Sequence, residues 1–336
     1  MTAPRVFVTR RIPAAGLERL AAAAAVEVWA DELPPPRATL LDKVRDCDGL
    51  LTMLTDRVDA ELLAAAPRLR VVANLAVGYD NIDVPACAAC GVAVGNTPGA
   101  LTESTADAAV ALLLAAARRL VEADRFARSG AWRTWDPLGH LGQEVFGKTL
   151  GVVGLGRIGF AAARRLARGW DMPVLYLNRR ANEWTARARA EFDARPANFD
   201  ELLARSDFVT VHASFNSETK GMFSAAAFRR MKPTAVFVNT ARGGLVVQAD
   251  LVAALRSGAL FAAGLDVTDP EPPDPADPLL TLDNVVVLPH IASATIATRT
   301  RIAEMAADNI LAGLAGRPLP TPVTIAGSHP PLRGEE

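Results

Sequence analysis

A glycine-rich turn between a strand-like run and a helix-like run places the strongest constraint on this chain. Residues 150–153 are apolar and β-branched, which favours a short strand, and residues 160–166 alternate small or apolar residues with arginines as an amphipathic helix does. Between these two runs, Gly154, Gly156 and Gly159 form the pattern G-x-G-x-x-G. Such glycines permit a tight turn, the approach of a pyrophosphate to the backbone, and close packing of the helix on the strand. The sequence therefore predicts a dinucleotide-binding turn, whereas the pattern by itself would also fit a merely tight turn.

Length and charge limit the class of protein. A chain of 336 residues predicts about two domains. The net charge of -1 gives no basic surface for nucleic acid, and no run approaches the roughly 20 apolar residues of a membrane span. The first residues lack a signal-peptide pattern, so we predict a soluble, cytoplasmic protein. The three cysteines, Cys47, Cys87 and Cys90, are interpreted as reduced packing residues rather than a redox pair.

Strands alternate with helices along most of the chain, which predicts parallel sheets covered on both faces. In the first unit we predict strands at 5–9, 26–29, 49–53 and 69–75, with helices at 13–25, 37–46 and 59–66. This unit has no phosphate-binding glycine pattern, so it is the candidate substrate domain. A long helix at 102–129 follows, and its end passes into an aromatic arm at 132–138 that we interpret as a subunit interface, with a packed loop as the alternative.

The second unit repeats the alternation after the glycine turn. We predict strands at 174–177, 208–212, 235–239 and 285–288 and helices at 199–204 and 225–231. A final helix at 297–314 is expected to return to the first unit, and residues 320–336 form a proline-rich tail that is expected to be mobile.

Three short polar segments follow strands of the second unit and carry residues suited to chemistry. They contain Arg242, Glu271 and His290. Because parallel strands end at one edge of a sheet, these segments should converge on one crevice. An arginine offers a planar fork for a carboxylate, a histidine exchanges a proton near neutral pH, and a glutamate can orient that histidine. Taken singly, each of the three would more often be an ordinary polar or ion-paired residue.

These segments resemble a known family. The sequence is similar to the D-isomer-specific 2-hydroxyacid dehydrogenases over nearly its whole length, and most closely to the glyoxylate and hydroxypyruvate reductases. The similar segments are VGYDNID, VVGLGRIG, VNTARGG, AGLDVTDPEP and LPHIASAT. The resemblance implies an α/β fold of two Rossmann-like doubly wound domains, in which the cofactor domain, residues 100–291, is inserted into a substrate domain made of residues 1–99 and 292–336. One departure is Ala292, where close relatives often carry glycine.

The resemblance also implies roles for individual residues. Arg242, Glu271 and His290 match the catalytic set, in which Arg242 holds the carboxylate of an α-keto acid and His290 protonates its carbonyl oxygen. The loop with Val77 and Gly78 follows the strand at 69–75, where parallel sheets bind ligands, so the substrate is expected to meet Leu54 and the backbone N–H groups of Val77 and Gly78. A plain turn is the alternative for this loop. The expected cofactor-binding residues are Thr105, Gly154, Gly156, Arg157, Ile158, Gly159, Asn178, Arg179, Arg180, His212, Thr240, Asp266 and Ser293, and no metal is expected. The expected assembly is a homodimer through the cofactor domain.

The end of the strand after the glycine turn bears on the choice of cofactor. An NAD-dependent enzyme carries an acid about twenty residues beyond the glycines, where its carboxylate binds the ribose hydroxyls. Here that position is Asn178, and Arg179 and Arg180 follow it. A guanidinium fork matches a 2′-phosphate. The sequence predicts a preference for NADP(H), with NAD(H) possible, unless the two arginines are ordinary solvated residues.

Two other functions stay open within the resemblance. Phosphite dehydrogenases are similar around MLTDRVD but carry a lysine where Val77 stands. Formate dehydrogenases carry a glutamine where Glu271 stands, which disfavours the formate dehydrogenases. Dinucleotide-sensing transcriptional corepressors keep the arginine, glutamate and histidine, so the triad alone does not exclude a binding protein.

Overall fold

Two parallel sheets, each flanked by helices, make up the computed structural model, which describes residues 3–324. The described chain divides into two compact units, one containing residues 3–101 and 295–324 and the other residues 102–294. The expected α/β fold of two doubly wound domains is confirmed. Within the described residues, no helix is long and apolar enough to cross a membrane.

The first unit is built on a five-stranded sheet. Its strands are β1 (Arg5–Val8), β2 (Ala25–Val28), β3 (Gly49–Thr52), β4 (Val71–Asn74) and β5 (Ala93–Gly95), in the order β2-β1-β3-β4-β5. Its first helices are α1 (Ala14–Ala21), α2 (Arg37–Lys43), α3 (Ala60–Ala65) and α4 (Val84–Ala89). All pairings are parallel, and β3 and β4 are buried along their whole length. Burial on both faces explains why these strands are continuous apolar runs in the sequence.

The second unit is built on a seven-stranded sheet. Its strands are β6 (Leu150–Val153), β7 (Val174–Leu177), β8 (Arg195–Pro196), β9 (Phe208–Val211), β10 (Val236–Asn239), β11 (Ala262–Leu265) and β12 (Val285–Val287), in the order β12-β11-β10-β9-β6-β7-β8. Its helices are α5 (Thr102–Ala117), α6 (Leu120–Arg128), α7 (Arg157–Gly169), α8 (Glu183–Phe192), α9 (Phe199–Arg205), α10 (Ala225–Phe228) and α11 (Gln248–Arg256). The helix α12 (Ile296–Leu314) then belongs to the first unit.

Alternate residues of the strands fill two apolar layers in each unit. In the second unit Phe237 packs with Phe223 and Phe228 on one face, whereas Val236 and Phe208 belong to the cluster on the other face. Helices α5 and α7 meet through buried alanines of both helices, Ala106, Ala109, Ala161 and Ala162. Small side chains let these two helices approach closely, which fixes the start of α7 against the sheet.

The prediction of one long helix at 102–129 was wrong. Helix α5 ends at Ala117, and Arg119 takes the left-handed conformation with φ of 52° before α6 begins. Because that conformation cannot continue a right-handed helix, the chain turns here. Glu122 in the first turn of α6 pairs with the Arg119 guanidinium at 2.6 Å and thereby holds the turn.

The predicted mobile tail is ordered at its start. Pro322 forms an antiparallel bridge with Gly95, and Val323 N–H donates to Val94 O at 2.8 Å. The chain therefore pairs with the end of β5 through this single bridge, while residues 325–336 lie outside the described part. The cysteines are free thiols, and burial raises the pKa of Cys47 and of Cys87 to about 11. Cys90, however, is exposed and does not pack in the core.

Candidate active site

The glycine turn has the shape that a pyrophosphate requires. Gly154 has φ of 94°, and a Cβ added there would lie 2.6 Å from Ala213 N. A Cβ at Gly159 would lie 2.3 Å from Gly154 O, so these two glycines serve the packing of the turn. A Cβ at Gly156 would meet no described atom within 4 Å, and Gly156 is the residue before α7 begins. The backbone at Gly156 and the first N–H groups of α7, at Arg157 and Ile158, are therefore open to an anion.

The end of β7 is tied to this turn. The Asn178 side-chain oxygen accepts a hydrogen bond from Leu155 N–H at 2.8 Å, so Asn178 lies beside the glycines as the sequence spacing implied. Arg179 and Arg180 are exposed. The Arg179 guanidinium lies 3.1 Å from a Glu218 carboxylate oxygen, and about 70% of each side chain is in solvent (71% and 68%). An ion pair this exposed contributes little to stability, so the Arg179 side chain is available for another partner.

His290 and Glu271 form a hydrogen-bonded pair at the edge where β11 and β12 end. The distance from His290 Nδ1 to Glu271 Oε1 is 2.6 Å. Because an ionised carboxylate only accepts hydrogen bonds, Nδ1 donates and Nε2 is the ring nitrogen left for a ligand. The side chains are 28% and 41% exposed, so a small ligand can reach them. His290 has φ of 53°, a left-handed conformation that is uncommon for a residue with a side chain.

Asp266 holds the backbone on which His290 stands. The residue is 1% exposed. Its carboxylate accepts from Ile291 N–H at 2.7 Å and from Ala292 N–H at 2.8 Å, and its carbonyl accepts from His290 N–H at 2.9 Å. Burial raises the pKa of the Asp266 carboxyl, and the two N–H donors act in the opposite direction. These three hydrogen bonds hold His290 in its left-handed conformation.

Arg242 lies in the loop after β10, the strand that pairs with β11. The side chain of Asn239, at the end of β10, donates to Arg242 O at 2.8 Å and accepts from Ala241 N–H at 3.0 Å, which shapes the loop. Asp266 N–H donates to Asn239 O at 2.9 Å. The loops that carry Arg242, Glu271 and His290 therefore follow three laterally paired strands, in the order β10, β11 and β12.

The other predicted cofactor residues occupy the same unit. His212 follows β9, and its ring nitrogens lie 3.0 Å from Thr210 Oγ1 and 3.5 Å from Thr240 Oγ1. Burial lowers the pKa of His212 to about 4, so the ring is neutral at neutral pH. Thr105 is buried in α5, and Ser293 is half-buried after the His290 loop. No group of three His, Cys, Asp or Glu residues that could hold a metal occurs in the described part of the chain.

Three of the five predicted substrate residues belong to the first unit, whereas Arg242 and His290 belong to the second. Leu54 follows β3, Val77 and Gly78 follow β4, and all three are half-buried. Their role in substrate binding stays a prediction, as do the individual roles assigned to the cofactor residues.

Comparison with known proteins identifies the family. The sequence profile of the D-isomer specific 2-hydroxyacid dehydrogenase, NAD binding domain, matches residues 110–292. A glyoxylate reductase of Korarchaeum cryptofilum is 50% identical over 311 residues, 92% of each chain. The chain belongs to the D-isomer-specific 2-hydroxyacid dehydrogenases. It is therefore an NAD(P)-dependent oxidoreductase, and the family resemblance expected from the sequence is confirmed.

Two solved structures agree with this family fold. A protein from Thermus thermophilus superposes with a TM-score of 0.89 at 44% identity, covering 95% of this chain and all of that one. The NADPH-dependent glyoxylate/hydroxypyruvate reductase of Sinorhizobium meliloti, solved with NADP and malonate, superposes with a TM-score of 0.83 at 32% identity, covering 96% and 97%.

Several residues that shape the dehydrogenase site carried no chemical signal in the sequence. Asn239 and Asn74 each end a buried strand, and both donate to a carbonyl of the loop that follows. Asp266 was expected at the cofactor, which stays a prediction, and its carboxylate also accepts two hydrogen bonds from the His290 loop. A polar residue at the last position of an otherwise apolar strand is the sequence signal that could have marked both asparagines.

Proposed function

We propose that this dehydrogenase reduces small 2-keto acids, glyoxylate and hydroxypyruvate, to 2-hydroxyacids, with His290 as the general acid. The observation that carries the proposal is the 2.6 Å hydrogen bond between His290 and Glu271 beside the strand that presents Arg242. Relatives that are about half identical and carry the name glyoxylate reductase support the choice of substrate.

Each side chain has a distinct task in this mechanism. The Arg242 guanidinium pairs with the substrate carboxylate and so places the carbonyl carbon. His290 donates its Nε2 proton to the carbonyl oxygen, and Glu271 stabilises the charged imidazole through Nδ1. The bound nicotinamide supplies the hydride. Asp266 keeps the His290 loop in place, and a correctly placed general acid contributes roughly 10² to 10⁴ in rate.

Initial rates with a panel of acids test this function. Glyoxylate, hydroxypyruvate, pyruvate and phosphite should each be offered with NADPH or NADH, or with the oxidised cofactor in the case of phosphite. We expect the first two acids to give the highest kcat/KM. A preference for phosphite, or binding of NADPH without turnover of any keto acid, would refute the proposal.

We also propose that the enzyme prefers NADP(H). Asn178 places no carboxylate at the ribose position, and the exposed Arg179 is the nearest candidate for a 2′-phosphate. Asn178→Asp combined with Arg179→Ala should shift the ratio of kcat/KM values from NADPH toward NADH. The matched control is Arg195→Ala, because Arg195 is also about 70% exposed (70%) and has one acidic partner, Asp193. Equal use of both cofactors by the unaltered protein would contradict the proposal.

A homodimer through the second unit is the assembly we propose. The arm after α6 exposes Trp132 (65%), Trp135 (79%) and Leu138 (76%), and exposed apolar side chains in one segment mark interaction surfaces. Trp135→Ser with Leu138→Ser should convert a dimer into a monomer in light scattering after gel filtration. Leu33→Ser is the control, because Leu33 is equally exposed (72%) but lies in the first unit. A cytoplasmic location stays a prediction that cell fractionation would test.

A further inference from the structure

Three successive carbonyl groups of the loop after β4 are all drawn inward by hydrogen bonds. Thr97 N–H donates to Ala76 O at 2.9 Å, the Asn96 side chain donates to Val77 O at 2.7 Å, and the Asn74 side chain donates to Gly78 O at 2.7 Å. The three donors are buried, with exposures of 0%, 8% and 0%. The carbonyl groups of residues 76–78 therefore all point toward the interior of the first unit and are held there.

The planar peptide bond also fixes the direction of the N–H groups that follow these carbonyls. In a planar trans peptide, the N–H of the next residue points opposite to the carbonyl. Fixing the carbonyls of residues 76 and 77 therefore turns the N–H groups of Val77 and Gly78 away from the interior. Within residues 3–324, neither N–H group has a hydrogen-bond acceptor. Gly78 has no side chain to cover them, so the segment is a cradle of two aligned donors. We call residues 77–78 the N–H cradle.

The two asparagines are themselves fixed. Asn74 accepts from Thr52 Oγ1 at 3.0 Å and donates to Asn81 Oδ1 at 3.0 Å, so its amide can have only one orientation. The backbone carbonyl of Asn96 accepts from Asn309 Nδ2 at 3.0 Å and from Thr321 Oγ1 at 2.6 Å. These bonds fix the amide of Asn74 and the backbone of Asn96, so the groups that hold the loop carbonyls are in place before any ligand arrives.

We propose that Asn74 and Asn96 are positioning residues that hold the N–H cradle ready for the carboxylate of the substrate. Two aligned N–H donors suit a carboxylate, and donors that need no reorganisation bind it most tightly. This inference rests on the proposed reduction of 2-keto acids, because their carboxylate is the ligand. Neither asparagine touches the substrate, and each acts through the carbonyl that it holds.

Steady-state kinetics of Asn96→Ala and Asn74→Ala test the inference. Loss of one carbonyl anchor should raise the KM for glyoxylate by about 10-fold, since a misdirected N–H forfeits a charge-assisted hydrogen bond, while the KM for NADPH stays within about 2-fold. The matched control is Asn284→Ala. Asn284 donates to two carbonyls, Leu255 O at 3.3 Å and Phe261 O at 3.0 Å, and so loses the same type of bond elsewhere.

An isosteric variant separates positioning from stability. Asn96→Asp removes the donor at neutral pH, but a protonated aspartic acid can donate again. The ratio of its KM for glyoxylate to that of the wild type should therefore fall as the pH is lowered, whereas the ratio for Asn96→Ala stays level. If Asn74→Ala and Asn96→Ala raise the KM for glyoxylate and the KM for NADPH together, as a general distortion of the folded enzyme would, the positioning role is overturned.

Binding of oxamate, measured by calorimetry with cofactor present, distinguishes this inference from the proposed function. Oxamate carries the carboxylate but is not reduced, and its affinity should fall about 10-fold in the two alanine variants. A wild type that binds oxamate in this way but reduces no keto acid refutes the proposed function and supports the cradle. A wild type that reduces glyoxylate with the same KM as both variants refutes the cradle. Absence of both oxamate binding and turnover in the wild type overturns both.

Discussion

Gly156→Ala should abolish tight cofactor binding without harming the fold. Gly156 has φ of -93° and ψ of -159°, an extended conformation that alanine adopts freely, and the added methyl would meet no described atom within 4 Å. The free energy of unfolding should change by less than about 1 kcal/mol. The methyl would, however, occupy the space through which a pyrophosphate reaches the backbone N–H groups. Loss of two such bonds costs roughly 3 kcal/mol, which weakens binding about 100-fold.

Two alanine variants on the same helix give the comparison. Gly169→Ala also meets no described atom within 4 Å but lies at the far end of α7, so it should leave cofactor affinity unchanged. Gly159→Ala puts a methyl 2.3 Å from Gly154 O and should lower the melting temperature sharply. NADPH titration by fluorescence and melting without ligand measure the two effects. If Gly156→Ala binds NADPH within about 3-fold of the wild type, pyrophosphate does not approach this face of the turn.

Other variants test the groups around the reaction. His290→Ala should lower kcat by roughly 10² to 10⁴ while the cofactor Kd is unchanged, and an equal loss of cofactor binding would indicate a structural role instead. Glu271→Gln keeps an acceptor for Nδ1 but removes the charge, so the pH profile of kcat/KM should change, and an unaltered profile would contradict the pairing. Asp266→Asn places an amide donor against a backbone N–H of the His290 loop, which should lower kcat, and stopped-flow measurement of NADPH oxidation would show this. For His212, burial lowers the pKa to about 4 from 6.5, so between these values the unfolded chain gains a proton that the folded chain does not, and stability rises with pH across that window. His212→Gln should remove roughly 3 kcal/mol of this pH dependence in urea unfolding at pH 4 and pH 7, and an unchanged difference would show that the ring titrates normally.

The sequence predicts the parts of this protein that depend on local pattern. The glycine turn, most of the strands and the placement of Arg242, Glu271 and His290 at strand ends follow from residues within a few positions of one another, whereas the two-residue strand β8 was not predicted. The break at Arg119 was not foreseen, because arginine is a good helix former and the turn depends on a pair with Glu122. Helix α8 was also missed, although Asn182 and Thr185 form a capping box at its start.

Contacts between residues far apart in the sequence account for the features that the sequence did not predict. Nothing near Pro322 shows that it pairs with Gly95, more than two hundred positions earlier in the printed sequence. The cradle likewise depends on Asn96, whose carbonyl is held by Asn309 and Thr321. Such contacts require the fold before they can be recognised, and asparagine in the sequence alone is typical of any turn.

The discontinuous first unit sets the order in which this protein can form on a ribosome. Residues 102–294 are continuous and contain all seven strands of their sheet, so this unit can fold while the rest of the chain is still being translated. Val6, Leu51 and Val71, on one face of the first sheet, become fully buried only later. The apolar cluster on that face is completed by Ala306, Ala307 and Ile310 of α12. Until α12 leaves the exit tunnel, that face of the sheet is covered only in part, by Leu17 and Leu20 of α1, so a chaperone that binds nascent apolar segments can bind there.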